Sequence, residues 1–373
     1  MAKRKIVMAG GGTGGHIFPA VAIAQRLQQE DPDLEILFIG ARGKMEMERV
    51  PQAGFRIEGL DIAGFNRSSL IKNIGLPFKL VRSWMQVRRI FRDFQPDAAV
   101  GVGGYSSFPV LKYAQQKGIP TFIHESNSFA GKANIMLGRA AARIYVAVDG
   151  MEKFFPADRI RVTGNPVRQA ISSASLRRED AIRHFGLDPS WPVVLSVGGS
   201  LGAQSINEAI EEGLHRMLAE GLQLIWQTGK RYQMKNTGRE MGSAHVQSVW
   251  VAPFISEMEK AYAAADIIVS RAGAMAISEI TVMGKPAIFV PYPFAAEDHQ
   301  GANARKMVEK KAGWLIADKD AREHLVTAVL ALSAAPEEQA EIRRNAAALA
   351  IRDADTVVAK DILKTLEERN RLS

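Results

Sequence analysis

Cysteine is absent from this chain of 373 residues, and its absence removes several kinds of chemistry. Disulfide frameworks, thiolate nucleophiles and cysteine metal sites are all excluded. Long apolar runs are missing as well, since none approaches the roughly 20 residues of a membrane-spanning helix. The basic N-terminal residues lead directly into a strand pattern, so we expect neither a secretory signal peptide nor a transmembrane segment.

Acidic residues are outnumbered by basic ones, 40 against 48, which gives a formal net charge of +8. A positive excess suggests a negatively charged partner: nucleic acid, anionic lipid or a phosphorylated substrate. The hydrophobic share of 47% is typical of a globular protein, and the length favours two domains rather than one. Composition alone does not choose among the three kinds of partner.

Short apolar runs alternate with longer helical patterns along almost the whole chain. The runs are rich in β-branched residues and continuously hydrophobic, which is typical of strands buried on both faces of a parallel sheet. They fall at residues 5–9, 35–39, 98–102, 121–123, 143–146, 193–197, 222–226, 267–270 and 287–290. The pattern predicts an α/β fold with doubly wound parallel sheets, followed by helix beyond about residue 335.

Two glycine-rich loops each join a predicted strand to a predicted helix, GGGTGGH at 10–16 and GGSLGAQ at 198–204. Where side chains are missing, backbone N–H groups can approach a phosphate, and the helix N-terminus favours negative charge. Two such loops predict two α/β domains that face each other across a cleft. That architecture suits an enzyme that handles a nucleotide-linked substrate.

The first loop also fits a dinucleotide-binding pattern through Gly10, Gly12 and Gly15. That interpretation requires an acidic residue at the carboxyl end of the second strand, where this chain has Arg42 instead. Because an arginine there could meet a 2′-phosphate, an NADP-dependent oxidoreductase stays as an alternative.

His16 follows the glycines directly and would point into whatever the loop surrounds. An imidazole with a pKa of about 6.5 suits proton transfer at neutral pH, so we favour a candidate base over a residue that only packs at the helix start. Two more polar loops, at 103–109 and 124–127, follow strands and meet the same sheet edge, where open α/β sheets bind ligands. Glu125 in the second of them is the reserve candidate.

The second half of the chain has a similar edge. Residues 271–279 follow a strand and begin a helix, in which Glu279 comes about one and a half turns in. A carboxylate there could accept both hydroxyls of a ribose while the helix N-terminus faces a phosphate; a solvated surface glutamate is the alternative. The loop at 291–304, after the next strand, is also dense in polar residues.

Three Asp-x-Asp sequences could hold a metal-bound diphosphate, at 31–33, 318–320 and 353–355. The first precedes a strand and therefore lies at the wrong edge of the sheet. The other two fall in charged helical or loop stretches. We predict surface turns at all three and no required metal or other cofactor.

Residues 61–92 carry the strongest charge asymmetry, with seven basic side chains against Asp61 alone. Apolar residues at helical spacing are interleaved with them, and we predict that most of this stripe is core. The stripe consists of Leu80, Trp84, Val87 and Phe91. The basic residues and the apolar loop before the helix favour contact with an anionic membrane surface through residues about 65–92. Nucleic acid is the rival partner, but no stacking platform or known module is evident, so we predict none.

Taken in order, the motifs resemble those of the MurG family of peptidoglycan glycosyltransferases along nearly the whole chain. They are GGGTGGHIFPA at 10–20, GGYSSFP at 103–109, HESNSFAG at 124–131, GNPVR at 164–168, GGSLGAQ at 198–204, and the block from SRAGAMAISE to DHQGANA at 270–304. The resemblance implies the two-domain GT-B fold, with an N-terminal acceptor and membrane-facing domain at 1–164 and a C-terminal UDP-sugar-binding domain at 165–351. A last helix at about 352–373 is expected to pack back on the N-terminal domain.

The resemblance implies an inverting, metal-independent transfer of N-acetylglucosamine from UDP-N-acetylglucosamine to lipid I, which forms lipid II. It also implies a peripheral protein at the cytoplasmic face of the bacterial plasma membrane. His16 is the expected base, with Glu125 in reserve. The donor-binding residues that the resemblance implies are Thr13, Gly14, Gly15, Asn127, Arg168, Ser200, Ile255, Ala274, Met275, Ala276, Ile277, Ser278, Glu279 and Gln300.

Some of these implied roles are specific. The backbone of Ile255 would read uracil, Glu279 would hold the ribose, and either His299 or Gln300 would contact the sugar. Ser126 stands where many relatives have glutamine, which leaves the neighbouring Asn127 in place. A related lipid glycosyltransferase or a UDP-N-acetylglucosamine epimerase would share the donor site, although an epimerase needs no membrane patch. A noncatalytic nucleotide-binding protein would leave His16 without a role.

Overall fold

A computed structural model of the chain describes residues 3–64, 76–172, 176–199, 201–234 and 248–372. The chain divides into two compact units: an N-terminal unit of Met1–Arg168 with Ile351–Ser373, and a C-terminal unit of Gln169–Ala350. Ser200 and the loop at 65–75, both singled out from the sequence, lie outside the described residues.

The N-terminal unit is built on one parallel sheet. Its strands are β1 Lys5–Ala9, β2 Glu35–Ala41, β3 Arg56–Leu60, β4 Ala98–Gly101, β5 Thr121–Glu125, β6 Arg143–Val146 and β7 Ile160–Val162. Its helices are α1 Gly14–Glu30, α2 Glu46–Gln52, α3 Leu76–Phe94, α4 Ser107–Gln116, α5 Lys132–Gly138 and, from the end of the chain, α14 Ala354–Leu372. Within the described residues the strand order is β3-β2-β1-β4-β5-β6-β7, with every neighbouring pair parallel.

The apolar residues of β1 alternate between the two faces of this sheet, which explains the continuous hydrophobic run in the sequence. Ile6 and Met8 belong to one buried cluster, and Val7 and Ala9 belong to the other. Because helices cover both faces, neither face of the strand tolerates polar side chains. The sheet thus forms the middle layer of a three-layer unit.

Helix α14 completes one of these two clusters. Val358 and Ile362 are buried in the same cluster as Ile6. On the neighbouring β6, Tyr145 donates its hydroxyl proton to a carboxylate oxygen of Asp361 over 2.9 Å. The last helix is therefore part of the core of the N-terminal unit.

The C-terminal unit is built on a second parallel sheet. Its strands are β8 Val193–Val197, β9 Gln223–Gln227, β10 Val249–Ala252, β11 Ile267–Ser270, β12 Ala287–Phe289 and β13 Trp314–Leu315. Its helices are α6 Gln169–Ser172, α7 Arg178–His184, α8 Gln204–Ala219, α9 Met258–Ala264, α10 Ala274–Met283, α11 His299–Glu309, α12 Ala321–Ser333 and α13 Pro336–Ala348. The strand order in the described chain is β10-β9-β8-β11-β12-β13, again parallel throughout.

A buried polar chain crosses the core of the C-terminal unit. The fully buried Trp226 donates its indole N–H to the Oδ1 of Asn207 over 2.9 Å, and Asn207 donates to the carbonyl of Thr228 over 2.8 Å. These bonds fix α8 against the end of β9, since a buried polar group without a partner costs about 1–3 kcal/mol. These buried hydrogen bonds therefore hold the carboxyl end of β9, and the start of the loop that follows it, in one position.

Strand order reverses direction once in each sheet, between β1 and β4 and between β8 and β11. The loops that leave the carboxyl ends of these strand pairs diverge to opposite faces, and this divergence opens a crevice in which α/β proteins bind ligands. Both glycine-rich loops found in the sequence, after β1 and after β8, lie at such a reversal.

The structure moves two boundaries that the sequence suggested. Strand β5 runs through Glu125, so His124 and Glu125 end the strand instead of opening the next loop. Helix α1 already begins at Gly14, which places His16 within its first turn.

The predicted core stripe of α3 is divided. Val87 and Phe91 are buried, and the rings of Phe91 and Trp84 both pack edge-on against Tyr113. Leu80 is 46% exposed, whereas the other three residues pack in or against the core, so the prediction that most of the stripe is core is confirmed. In the part of the chain that the structure describes, no helix has both the length and the apolar character needed to cross a membrane.

Candidate active site

Two glycine turns meet at the strand reversal of the N-terminal sheet. Gly104 has a φ of +82°, and a Cβ placed there would lie 2.4 Å from the carbonyl oxygen of Gly11. A Cβ on Gly103 would lie 2.7 Å from the Cδ2 atom of His16. Glycine is therefore required for close packing of the two turns, and it brings the turn after β4 against the imidazole of His16.

His16 lies in the first turn of α1 and is half-buried, with its Nδ1 atom 3.3 Å from the Oγ1 of Thr13. Burial lowers the pKa of His16 below its ordinary value of 6.5, while Glu125, a hydrogen bond to the backbone of Gly11, and Glu46 oppose that shift. A histidine that is neutral at physiological pH can accept a proton. The environment thus keeps His16 in the form that a general base requires.

His124 is a fully buried neighbour of His16. Its Nε2 lies 3.4 Å from the carbonyl oxygen of Gly164, and its Nδ1 lies 3.4 Å from the hydroxyl of Ser126. Burial lowers the pKa of His124 to about 4, and the proximity of His16 acts in the same direction. At neutral pH the ring is therefore an uncharged part of the core.

Glu125 uses both carboxylate oxygens to fold the loop that follows it. One oxygen accepts the backbone N–H of Asn127 over 3.1 Å and its side-chain amide over 3.3 Å. The other accepts the N–H of Gly131 over 3.0 Å and the amide of Asn134 over 2.9 Å. With only 4% of its surface exposed, Glu125 orders the Asn127 loop and acts on His16 through its charge.

Arg168 and Gly14 meet around an aromatic ring that the sequence did not single out. The guanidinium carbon of Arg168 lies 4.3 Å from the ring centre of Phe18. A Cβ on Gly14 would lie 2.9 Å from the same ring. In the sequence, Phe18 stands inside the motif at 10–20, one helical turn after Gly14, but it was given no role there.

The structure brings most of the predicted N-terminal residues to one sheet edge. Thr13 ends the glycine loop, and Gly14, Gly15 and His16 form the turn that follows. Asn127 lies in the loop after β5, next to the end of that strand.

Glu46 is a buried carboxylate at this edge that sequence reasoning missed. It is 1% exposed and accepts the backbone N–H of Gly12 over 3.0 Å. Nothing in the local sequence marks it, because its partner lies on a different element and is brought near only by the pairing of β1 with β2.

In the C-terminal unit, Gln227 ties the glycine loop after β8 to the backbone of Ile255. Its amide donates to the carbonyl of Gly199 over 3.1 Å, and its carbonyl accepts the N–H of Ile255 over 2.9 Å. The N–H of Ile255 is thus already engaged, and its carbonyl oxygen is the backbone group left to consider for base recognition. Ser200, from the same loop, lies outside the described residues.

Helix α10 begins at the strand reversal of the C-terminal sheet and contains the predicted segment from Ala274 through Met275, Ala276, Ile277 and Ser278 to Glu279. The first N–H groups of a helix have no partner within the helix and favour negative charge. Glu279 is buried rather than solvated, at 6% exposure, and accepts the hydroxyl proton of Tyr262 over 3.0 Å. The alternative of a surface glutamate is therefore wrong.

Arg271 organises the loop that follows β12. Its guanidinium donates to the carbonyls of Val290 and Pro291 over 3.1 and 3.2 Å and forms an ion pair with Asp318 at 2.5 Å. In the same loop the side-chain carbonyl of Gln300 accepts the N–H of Tyr292 over 2.9 Å.

The end of that loop carries unusual backbone conformations. Glu297 and Asp298 have φ values of +53° and +50°, immediately before His299 and Gln300 begin α11. A left-handed backbone conformation costs a non-glycine residue on the order of 1–3 kcal/mol, and such residues cluster at functional sites. The turn that presents His299 and Gln300 is therefore held in place by its surroundings.

Comparison with protein families covers most of the chain. Residues 6–146 match the glycosyltransferase family 28 N-terminal domain, and residues 193–358 match the glycosyltransferase family 28 C-terminal domain. The two matched ranges contain β1 to β6 and β8 to β13, together with both strand reversals.

Curated relatives are similar over nearly their whole length. One from Phocaeicola vulgatus is 49% identical over 364 residues, 98% of this chain and 97% of its own. One from Parabacteroides distasonis is 45% identical over 369 residues, 99% of this chain and 100% of its own. Both are named UDP-N-acetylglucosamine–N-acetylmuramyl-(pentapeptide) pyrophosphoryl-undecaprenol N-acetylglucosamine transferase.

Solved structures have the same fold. The crystal structure of Acinetobacter baumannii MurG has a TM-score of 0.73 and 29% identity, with 97% of this chain and 99% of that chain covered. The Staphylococcus aureus MnaA–UDP structure has a TM-score of 0.69 at 14% identity, covers 98% of this chain and 97% of that chain, and supports the fold alone. With both of its domain types matched in order and close relatives along its full length, the chain belongs to glycosyltransferase family 28.

Proposed function

We propose that this chain transfers N-acetylglucosamine from UDP-N-acetylglucosamine to lipid I, the undecaprenyl-diphosphate-linked muramyl pentapeptide, and so forms lipid II in peptidoglycan synthesis. The observation that carries the proposal is the identity of 49% over 98% of the chain to a relative named for that reaction. The polar loops at both strand reversals agree with it, because each sheet places its loops where α/β proteins bind ligands.

The C-terminal unit is proposed to bind the UDP-sugar. The start of α10, with Ala274 to Ser278, directs backbone N–H groups toward the diphosphate, and Ser200 adds a hydroxyl. Glu279 holds the ribose hydroxyls, since Tyr262 already fixes one oxygen of its buried carboxylate. The backbone of Ile255 reads uracil, and Gln300 contacts the sugar from a turn whose geometry is fixed.

The N-terminal unit is proposed to bind the acceptor and to contact the donor's sugar or diphosphate. Thr13, Gly14, Gly15 and Asn127 supply hydroxyl, backbone and amide groups around His16. Arg168 holds phosphate, with its planar guanidinium oriented by the ring of Phe18.

The reaction is a single displacement with inversion. The acceptor hydroxyl oxygen attacks the anomeric carbon, the bond from that carbon to the UDP oxygen breaks, and its electron pair leaves on the diphosphate. The hydroxyl proton passes to His16, which is neutral because burial lowers its pKa. Helix N-termini and Arg168 stabilise the charge that develops on UDP, so no metal is required for departure. Glu125 is the weaker candidate for the base, since all of its bonds serve to fold a loop.

Membrane contact through α3 is part of the proposal. Phe78, Val81 and Met85 recur along one side of the helix and are 80%, 60% and 59% exposed. Beside them, Arg82 keeps 66% of its side chain exposed while pairing with Asp61. An exposed apolar stripe flanked by cations is the pattern of a helix that lies on an anionic lipid surface. We infer peripheral attachment at the cytoplasmic face of the plasma membrane, where the lipid-linked acceptor is reached.

The proposal is tested by measuring UDP release from UDP-N-acetylglucosamine with and without a lipid I analogue, in the presence of EDTA. Acceptor-dependent release, with the disaccharide product identified by mass spectrometry, is the expected result. Binding of UDP-N-acetylglucosamine without acceptor-dependent release would assign the chain to another acceptor or to epimerisation. UDP release that stops on chelation and returns with a divalent cation would contradict the proposal that the transfer needs no metal.

A further inference from the structure

The carboxylate of Glu46 is built into the glycine loop that precedes His16. Glu46 begins α2, yet its side chain turns inward and is 1% exposed. One oxygen accepts the N–H of Gly12 over 3.0 Å, and the other accepts the N–H of Ala41 over 2.9 Å. One side chain therefore joins the turn after β1 to the end of β2.

We propose that Glu46 is a positioning residue for the transferase reaction: its buried carboxylate fixes the glycine loop that carries His16. The inference rests on the proposed function, because it assigns a role toward the base of that reaction. Glu46 itself is not placed in contact with substrate.

The fit around the carboxylate supports a dedicated role. A Cβ on Gly11 would lie 2.1 Å from an oxygen of Glu46, and a Cβ on Gly40 would lie 2.4 Å from its Cγ. One glycine in the loop after β1 and another in β2 thus leave the space that the side chain fills. A side chain larger than hydrogen at either position would displace the carboxylate.

The hydrogen bond to Glu46 also limits the ability of the glycine loop to bind a phosphate group. The N–H of Gly12 is directed at a protein carboxylate, so this amide does not point outward to receive a phosphate. A buried negative charge behind the loop further disfavours a second anion close to Gly12. The first glycine loop is therefore better suited to holding His16 in one place than to cradling a diphosphate by itself.

Three charged or titratable groups approach His16 from two elements. Glu125 ends β5, Glu46 begins α2, and His124 lies on β5 next to Glu125. The two carboxylates raise the pKa of His16 against the effect of burial, and Glu125 contributes more than Glu46. Glu46 also raises the pKa of Tyr105 on the other side of the loop, after burial, which is the larger cause. The charge of Glu46 is thus felt by both polar side chains that flank the glycines.

The test compares Glu46→Gln with Glu48→Gln, which removes the same charge from an exposed position on the same helix. In Glu46→Gln, the His16 titration followed by NMR is expected to move to lower pH, because a neighbouring anion is lost. The acid limb of kcat/KM should move by the same amount. The plateau of kcat should fall on the order of tenfold to a hundredfold as the loop loses its fixed position, with little change in KM for the donor. Glu48→Gln should match the unmodified chain in all three.

Glu46→Asp separates the effect of the two hydrogen bonds, from Gly12 and Ala41, from the effect of the negative charge. Aspartate keeps the charge but is one methylene shorter and cannot reach both amides. Its kcat should fall as in Glu46→Gln, while His16 titrates close to its normal position. If Glu46→Gln does not fold, the kcat of Glu46→Asp tests whether the two hydrogen bonds of the carboxylate position the loop. If neither variant folds, hydrogen exchange in the unmodified chain tests the two hydrogen bonds directly, because the amides of Gly12 and Ala41 should be protected.

Two results would overturn the inference: an unshifted His16 titration with unchanged kcat in Glu46→Gln, or unprotected amides at Gly12 and Ala41. Both the NMR titration and the exchange measurement are made without substrate. A failure of the proposed transferase reaction would therefore be seen separately, in the product assay of the unmodified chain.

Discussion

His16 is placed where two requirements of a base conflict. It must be neutral to accept a proton, which burial favours, and it must gain a proton during the reaction, which nearby carboxylates favour. Burial is the larger influence, so the pKa of His16 in the folded chain lies below its ordinary value of 6.5, and Glu125 and Glu46 limit how far it falls. The balance leaves a neutral imidazole beside charges that stabilise its protonated form during attack.

Replacing His16 with alanine should lower kcat on the order of a hundredfold to ten-thousandfold, the usual contribution of general base catalysis. UDP affinity should stay within about twofold, since the nucleotide is assigned to the C-terminal unit. In the unmodified enzyme, kcat/KM should rise with pH to a plateau, with the midpoint of the rise below pH 6.5, because the base becomes active when it loses its proton. Unchanged turnover in His16→Ala would remove this residue from the mechanism.

His124 makes the stability of the N-terminal unit depend on pH. Its pKa is about 4 in the folded chain and 6.5 ordinarily, so the unfolded state binds a proton first as pH falls. The stability that a neutral ring provides is complete above pH 6.5 and is lost between pH 6.5 and pH 4. The shift corresponds to about 3 kcal/mol.

The His124→Gln variant should therefore lose less unfolding free energy than the unmodified chain between pH 7 and pH 4.5. Native-state hydrogen exchange of the β5 amides measures the change for this unit alone. His215→Gln, at an exposed position on α8, is the matched control and should retain the full pH dependence. An equal pH dependence of the unfolding free energy in all three proteins would contradict its assignment to His124.

At the scale of elements, α3 shows how packing divides one amphipathic helix between two environments. Val87 and Phe91, in its second half, are buried, while Phe78 and Val81 near its start are exposed. A cavity of about 410 Å³ lies beside the exposed end, between the helix and the end of β3, and is lined by Arg42, Leu60, Asp61, Ile62, Phe78, Lys79 and Arg82. Apolar and cationic side chains thus share one surface.

Replacing Phe78 with serine should weaken binding to vesicles that contain phosphatidylglycerol by roughly tenfold to a hundredfold, because about 1.5–3 kcal/mol of apolar transfer is lost. Arg82→Gln should weaken it less and reduce its salt dependence. Phe294→Ser is the matched control, since Phe294 is 82% exposed in the C-terminal unit. Sedimentation with vesicles gives the comparison, and equal losses in Phe78→Ser and Phe294→Ser would argue against a specific surface on α3.

The sequence predicted those elements whose side chains are buried on both sides. Residues 5–9, 193–197 and 267–270 were predicted as strands and are strands with these bounds, because continuous hydrophobicity leaves little choice of structure. Strand β13 has two residues and was not predicted, since so short a run carries no pattern. The sequence did not indicate which member of the α3 stripe is exposed, because helical spacing identifies a stripe but not how far the neighbouring elements cover it; the exposed member is Leu80.

The candidate site was predictable to the extent that it consists of contiguous motifs. The glycine loops, His16 and the Asn127 loop could be found from local sequence, since each follows a strand at a known sheet edge. Glu46 and Gln227 could not, because each bonds to loops from other parts of the chain that only the strand order brings near. The family resemblance supplied roles for single residues, which remain proposals.

At the scale of the whole molecule, each unit has its own sheet and its own buried clusters. Separate cores predict separate responses to a ligand that binds one unit. UDP at about one hundred times its Kd should stabilise the C-terminal unit by about 2.7 kcal/mol through mass action. The N-terminal unit, which is proposed to meet the donor only through Arg168 and the groups around His16, should be stabilised less.

Calorimetry with UDP should accordingly raise the Tm of one transition more than that of the other. Intrinsic fluorescence identifies that transition, since Trp84 belongs to the N-terminal unit and the other tryptophans to the C-terminal unit; these are Trp191, Trp226, Trp250 and Trp314. Cytidine diphosphate serves as the control for base recognition at Ile255. A UDP-dependent rise in the transition reported by Trp84 alone would contradict the assignment of the donor to the C-terminal unit.

The docking of α14 in the N-terminal core has a consequence for biosynthesis. Ile6 and Val358 belong to one cluster, so the earliest and latest parts of this chain are needed for the same core. During translation the C-terminal unit, continuous from Gln169 to Ala350, emerges whole before that core can close. Until the final helix leaves the ribosome, the face formed by β1 and α1 stays uncovered. The nascent chain is thus most exposed to chaperone capture and aggregation in the interval before α14 has emerged.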